Sequence, residues 1–403
     1  MHIAYISYEH PLGIASGGIG TYIGHVSKLM AMRSHDVEVF SGSPNATSSV
    51  IELDGYKLHL IATQDKATFK TSVLPVFAES HEVLPFDIIE SPEFGADGLE
   101  IKKAFPALPL SLKLHTPSFL VGKLNSNKIT ILDKLRFIMG GLIRLQRVKF
   151  YWRYNKHNDP EYELFNLAES VVSPSANLSA IVRVEWKSDK EIQVVPNPFI
   201  YSNHNFNAVM ASPKSNTVIT FIGKLEKRKG ILDLMKAIPQ ILKLFPDTEF
   251  IFAGSPSPSP SRHLNMIEYM NEKLSKYKRS LTFLGFQPHH RISAIIKGSD
   301  ICIFPSLWEN FPYVCLEAMS IGKAVIGTNN GGMAEIINHN FNGLLIPPGA
   351  PKDIVRAVKK LVTNRQLVAT LGNAAKETVV TRYSADIIGK QTEDVYFDTI
   401  ARQ

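Results

Sequence analysis

The sequence predicts an α/β fold of two Rossmann-like, doubly wound domains facing a central cleft. Three observations predict it. Short β-rich runs alternate with longer helix-period segments, the alternation lapses once in an Asn-, Ser- and Pro-rich stretch at 197–216, and it then restarts with a new first strand. The 403 residues, 44% hydrophobic and 20% charged, suffice for two cores of about 200 residues each.

The first domain is assigned to residues 1–198. "HIAYIS" (2–7) reads as a strand, 20–33 as a helix and 36–42 as the next strand. Strands follow at 85–91, 108–116 and 170–175, then a helix at 176–186 and a short strand at 192–196. The second domain, 199–385, opens with the strand "TVITFIGK" (217–224), an amphipathic helix at 231–245 and a strand at 247–254. Strands at 281–286, 300–306, 323–328 and 343–348 alternate with helices at 290–299 and 332–339, and "SPSPSPS" (255–261) reads as a mobile surface loop. Helices run from about Lys352 onward, and 386–403 is expected to form a C-terminal helix that packs back on the first domain. Strand–helix–strand order implies parallel sheets, whose ligands bind at the carboxyl ends of the strands.

Composition narrows the classes. Cys302 and Cys315 lie in separate apolar contexts without a CxxC, which supports neither a disulfide framework nor a cysteine-based zinc site and suits a reducing compartment. No basic leader opens the chain, and no apolar run approaches the roughly 20 residues that span a bilayer, so a cytoplasmic protein is expected. A net charge of +7 favours anionic partners.

Five features carry chemistry. "LWENFPYVCLEAM" (307–319) places Glu309 in the loop after a buried strand and Glu317 in the helix that follows, with Asn310 as a candidate cap, Pro312 in the first turn and Gly322 past the end. Two acids so placed can hold different hydroxyls of one extended ligand; in isolation they read equally as solvated surface carboxylates. "GKLEKRKG" (223–230) crowds Lys224, Lys227, Arg228 and Lys229 into the turn after the second domain's first strand. Lys224 and Lys229, with the helix N-terminus at Gly230, suit a diphosphate. A Walker P-loop is excluded, since no GxxxxGK[ST] occurs.

The glycine pair Gly17–Gly18 before the first helix allows close approach of a phosphate or sugar, yet it lacks the GxGxxG spacing of a dinucleotide fingerprint. His115 ends a first-domain strand in "KLHTP" (113–117), and Gly331 and Gly332 open a helix whose first N–H groups, with those of Met333 and Ala334, could receive an anion. Each of these has an ordinary structural reading as well: a helix entry, a core histidine, a turn. No DxD occurs, so a divalent cation held on the diphosphate is not expected; lysines would take its place.

The segment from Ser306 to Gly349, with "GKLEKRKG" and "GGIGTYI" (17–23), resembles the signature of the retaining glycosyltransferase family 4, which has the GT-B fold. The resemblance spans nearly the whole chain. It implies a hexosyltransferase-type enzyme that moves a sugar from a UDP- or GDP-sugar to a glycan or lipid-linked acceptor, with retention of configuration and neither cofactor nor metal. It also implies the roles. Glu309 would contact the donor sugar and Glu317 the ribose hydroxyls, Lys224 and Lys229 the diphosphate, Gly17 and Gly18 the phosphate side of the cleft, and His115 the reaction centre; Asn310, Phe311 and Pro312 are counted with the donor site. Lys224 stands where the family usually has Arg, which keeps the charge and loses the bidentate fork. Asn197-Pro198 replaces the usual Asn-Gly and stiffens the hinge, and the Ser-Pro tract replaces a glycine-rich loop.

Residues 121–158 hold nine Lys or Arg against the single acid Asp133, interleaved with apolar and aromatic side chains. Such a segment suits a peripheral contact with an anionic membrane surface, or a helix packed on the first domain with a solvated basic face. A nucleic-acid partner is not expected, because no binding module accompanies the charge. A sugar-nucleotide epimerase or hydrolase on a similar scaffold, and a catalytically silent sugar-nucleotide-binding subunit, are the competing readings.

Overall fold

The computed structural model describes residues 1–14, 17–126, 135, 139, 154–200, 216–261 and 263–402. Most of the basic segment at 121–158 and of the stretch at 197–216 lies outside the described residues. The chain forms two compact units. One comprises Met1–Pro174, Leu178–Val195 and Gly389–Gln403, the other Ser175–Asn177 and Pro196–Ile388. The division at Val195 falls three residues before the expected one, and the C-terminal return begins at Gly389 rather than 386.

The first unit is built from β1 (His2–Ser7), α1 (Gly18–Met32), β2 (Asp36–Ser43), β3 (Ser49–Leu53), β4 (Tyr56–Ala62), α2 (Lys66–Val83), β5 (Ile88–Pro92), α3 (Leu99–Ala104), β6 (Leu110–Lys113), α4 (Ser118–Ser126), α5 (Pro160–Leu167), β7 (Ser170–Ser173), most of α6 (Ala176–Trp186) and β8 (Gln193–Val194). Its sheet runs β3-β4-β2-β1-β5-β6-β7-β8. Central β1 and β5 are buried throughout, as strands covered on both faces of a parallel sheet are.

The sheet is parallel except at one edge, where β3 pairs antiparallel with β4. That hairpin corrects the purely parallel expectation. Asp54 and Gly55 make its two-residue turn with φ of 50° and 87°, the Asp-Gly signal of a hairpin loop. Helix α2 also escaped the periodicity reading. Pro75 sits inside it, and its start rests on Asp65, whose side chain accepts the Thr68 N–H at 2.8 Å.

The C-terminal residues complete the first unit's core. Tyr396 lies 2.9 Å from the Tyr5 hydroxyl and donates to buried Glu90 at 2.7 Å, while Thr399 donates to Ser170 at 2.7 Å.

The second unit contains β9 (Val218–Ile222), α7 (Ile231–Leu244), β10 (Glu249–Ala253), α8 (Met266–Lys273), β11 (Leu281–Gly285), α9 (His289–Lys297), β12 (Ile301–Phe304), α10 (Tyr313–Ser320), β13 (Ala324–Thr328), α11 (Met333–Ile336), β14 (Leu344–Ile346), α12 (Pro351–Val362), α13 (Arg365–Arg382) and the start of α14 (Ala385–Ala401). Every described strand pair in it is parallel, in the order β11-β10-β9-β12-β13-β14. The chain winds outward from β9 to β11 and then returns to β12, so the order reverses between β9 and β12. Crevices for ligands open at such a reversal.

The Ser-Pro tract is fastened rather than loose. Leu225 donates its N–H to Ser255 O at 2.9 Å and its carbonyl accepts from Ser257 at 3.1 Å, while Met266 donates back to Ser257 O at 2.9 Å. Backbone pairing holds this tract against the basic turn.

Candidate functional site

The loops after β9 and β12 leave neighbouring strands at the reversal point of the second unit's sheet. They are locked together. Gly230 has φ 73°, and a Cβ there would fall 1.8 Å from the Pro305 carbonyl, so both its conformation and the close approach require glycine. Leu307 N–H also donates to Arg228 O at 2.8 Å. This contact brings the cations of the first loop onto the acid of the second.

The Lys229 ammonium pairs with Glu309 Oε1, Arg228 Nη1 lies 3.8 Å from Glu309 Oε2, and Ser306 Oγ donates to Glu309 Oε1 at 2.9 Å. Burial favours the neutral acid. The charges of Lys229 and Arg228 and the bonds from Lys229 and Ser306 outweigh it and hold the Glu309 carboxyl below its usual range. Glu309 is therefore a buried, ionised acceptor beside a cluster of donors. Lys224 in the same loop is exposed and has no ion-pair partner among the described residues.

The glycine pair at 331–332 serves a different end from the one its sequence suggests. A Cβ on Gly331 would lie 2.1 Å from Glu309 O, and one on Gly332 1.6 Å from Asn310 O. The Gly332 N–H is spent on Glu309 O at 2.8 Å and that of Ala334 on Gly331 O at 3.2 Å, so the pair seats the Glu309 loop rather than cradling an anion.

Asn310 is not the cap of α10 either. Its Oδ1 accepts from Ser175 Oγ at 2.8 Å, and Pro312 occupies the N-cap position, one residue before the helix. The Phe311 ring lies edge-on to Tyr383 at 5.7 Å and anchors the same loop. The Trp308 indole N–H donates to Asn177 Oδ1 at 3.0 Å. Glu317 projects from α10, 8% exposed, with His289 Nε2 3.1 Å from its Oε1. Gly322, with φ 77°, ends this helix as expected.

Gly17, Gly18 and His115 belong to the first unit. Gly17 is the N-cap of α1 without a side-chain cap bond, and among the described residues no atom beyond the chain neighbours and the helix's own backbone lies within 4 Å of where a Cβ on Gly17 or Gly18 would sit. His115 follows β6 and is buried; its N–H donates to Glu93 Oε2 at 2.7 Å, and its ring stands edge-on to Tyr22 at 5.0 Å. Burial, helped by the Lys113 and Lys66 charges, lowers its pKa to about 3. The imidazole is neutral near pH 7, which suits a hydrogen-bonding role and not that of an imidazolium acid.

The loops around His115 are braced from α5. Glu161 accepts Gly95 N–H at 2.7 Å and Ser118 N–H at 2.7 Å. Sequence reasoning missed this brace, as it missed Ser306 and His289. The last two left faint signals: Ser306 stands three residues before Glu309, and His289 opens a helix just past a strand's carboxyl end.

Cys302 and Cys315 are both buried and free. Among the described residues, no group of three or more His, Cys, Asp or Glu is arranged to hold a metal ion, and no helix is long and apolar enough to cross a membrane.

Residues 203–378 match the family model of glycosyl transferases group 1. The chain is 31% identical over 194 residues to an uncharacterized glycosyltransferase of Methanocaldococcus jannaschii, a match covering 48% of this chain and 47% of that one. The match thus spans about half the length of that relative. Among solved structures, sucrose-phosphate synthase from Thermosynechococcus elongatus superposes with a TM-score of 0.76 at 18% identity over 100% of both chains. HepE of Anabaena in complex with UDP-glucose does so with a TM-score of 0.66, at 18% identity over 100% of both. Residues 203–378, in the second unit, thus match the glycosyl transferases of group 1, and the likeness to solved structures shows a GT-B fold.

Proposed function

We propose that this protein is a retaining hexosyltransferase that moves a sugar from a nucleotide diphosphate sugar to a glycan or lipid-linked acceptor. The observation that carries the reading is the junction of the two loops at the sheet reversal, where Lys229 and Arg228 converge on Glu309. A donor entering there finds cations for its diphosphate and, within bonding reach of those cations, an ionised carboxylate for the hydroxyls of its sugar. HepE, of the same fold, binds UDP-glucose. That makes a uridine donor the first to try.

In the proposed reaction the bond from the anomeric carbon to the diphosphate breaks, and Lys224 and Lys229 stabilise the charge that develops on the leaving oxygens. The acceptor hydroxyl attacks from the same face and passes its proton to the departing phosphate. His115, held neutral, hydrogen-bonds beside the sugar. Gly17 and Gly18 leave room for the phosphate side of the donor, and Asn310, Phe311 and Pro312 fix the backbone around Glu309.

A thermal-shift panel of UDP, GDP, ADP and their sugar conjugates, in EDTA, tests the donor site, because a ligand that binds only the folded state raises the midpoint. Stabilisation by one base in EDTA supports a metal-free lysine clamp. No shift at about a hundred times a micromolar Kd, where some 2.7 kcal/mol is expected, overturns it.

A further inference from the structure

Glu317 is held on one side only. Oε1 meets His289 Nε2 at 3.1 Å, while Oε2 accepts no hydrogen bond among the described residues. The Glu317 side chain is 10% exposed, and the histidine side chain that meets it is 62% exposed. His289 is the first residue of α9, on the loop that leaves β11, and it reaches across to α10. A mostly exposed ring aimed at a mostly buried acid is unusual for a contact that serves packing alone, since little apolar area is covered by it.

We infer that His289 is a positioning residue for donor binding: its N–H fixes Oε1 of Glu317, so that Oε2 is presented to a vicinal diol such as that of a ribose. This inference rests on the proposed donor site and on the further reading that Glu317 holds the ribose hydroxyls of that donor. A glutamate on a helix has three side-chain torsions, and one carboxylate oxygen that must meet two adjacent hydroxyls tolerates little rotation. A donor bound to one oxygen removes that freedom before the ligand arrives, which lowers the entropic cost of binding. Any ligand carrying the same ribose, with or without a sugar, should feel the effect.

Four proteins are compared with the wild type: His289→Ala, His289→Gln, Glu317→Gln and the double variant His289→Ala/Glu317→Gln. Each is titrated calorimetrically with UDP, GDP and ADP, after thermal unfolding shows that it folds. The expected result is that His289→Ala weakens binding of the preferred nucleoside diphosphate about tenfold, the size of one lost hydrogen bond to a charged group. His289→Gln, which keeps an N–H donor, should recover most of that loss, and the double variant should bind no more weakly than Glu317→Gln alone. Wild-type affinity in His289→Ala, or additive losses in the double variant, would overturn the inference. Wild-type affinity in Glu317→Gln would instead overturn the ribose-holding reading beneath it, so the two failures are told apart.

Discussion

Acidification should destabilise the protein through His115 in particular, and the size of the effect follows from its surroundings. The unfolded imidazole titrates near 6.5, whereas the folded ring is lowered to about 3, first by burial and then by Lys113 and Lys66. A histidine with a depressed folded pKa binds more protons when unfolded, so its contribution to stability falls as pH drops below the unfolded value and is lost progressively down to the folded one. Between pH 7 and pH 5 that loss is about 2 kcal/mol. For a domain of this size it corresponds to roughly 4–8 °C in midpoint. Scanning calorimetry of the wild type and His115→Gln at both pH values isolates the share of this residue, because glutamine keeps the backbone N–H bond to Glu93 and cannot take up a proton. His10, which burial lowers to about 4, and Glu93, which burial raises, titrate in both proteins and cancel in the double difference. An equal acid-induced drop in wild type and variant would refute the reasoning. It would mean that the His115 ring is solvated or paired when protonated.

Lys229→Ala should lower turnover by about 10² to 10³, the usual loss for one electrostatic donor to a leaving group, and intact turnover would remove Lys229 from that role. The same change leaves Glu309 with Arg228 and the Ser306 hydroxyl but without the Lys229 charge, so its carboxyl should titrate higher, which carboxylate-resolved NMR can read. Since the wild-type Glu309 carboxyl is held below its usual range, its ion pairing stabilises above the unfolded value near 4.3 and is lost as pH falls through the folded one. Gly230→Ala should destabilise by about 1–3 kcal/mol or more through its positive φ and the clash with Pro305, lowering the unfolding midpoint and nucleotide affinity together. Tyr396→Phe should cost about 1–3 kcal/mol, measured by denaturant unfolding, because buried Glu90 loses one of its two tyrosine donors.

Much of the architecture was legible because apolar periodicity is a local property. The runs at 2–7, 218–222 and 301–304 are strands because they are apolar on both faces, and 231–244 is a helix because its apolar residues recur with the helical period. Glu309 in a loop at a strand's carboxyl end and Glu317 on the next helix follow from the same local reading. The antiparallel β3–β4 edge, α2 and α8 were missed. Their signals lie in turn and cap chemistry: an Asp-Gly turn, an Asp65 cap, and the Asn265–Glu268 capping box.

What the sequence determined by itself, then, is the two-domain α/β order and the identity of the residues that carry charge at strand ends. Only tertiary structure decided their partners, because hydrogen bonds and ion pairs across loops depend on distances that sequence spacing does not encode. Lys229 and Glu309 are 80 positions apart and meet because Gly230 lets two loops touch. The sequence of Gly331 and Gly332 suits an anion cradle, but their N–H groups bond Asn330 Oδ1 and Glu309 O, and Asn310, which suits a cap, instead accepts from Ser175. His289 meets a carboxylate 28 residues away, on a different helix.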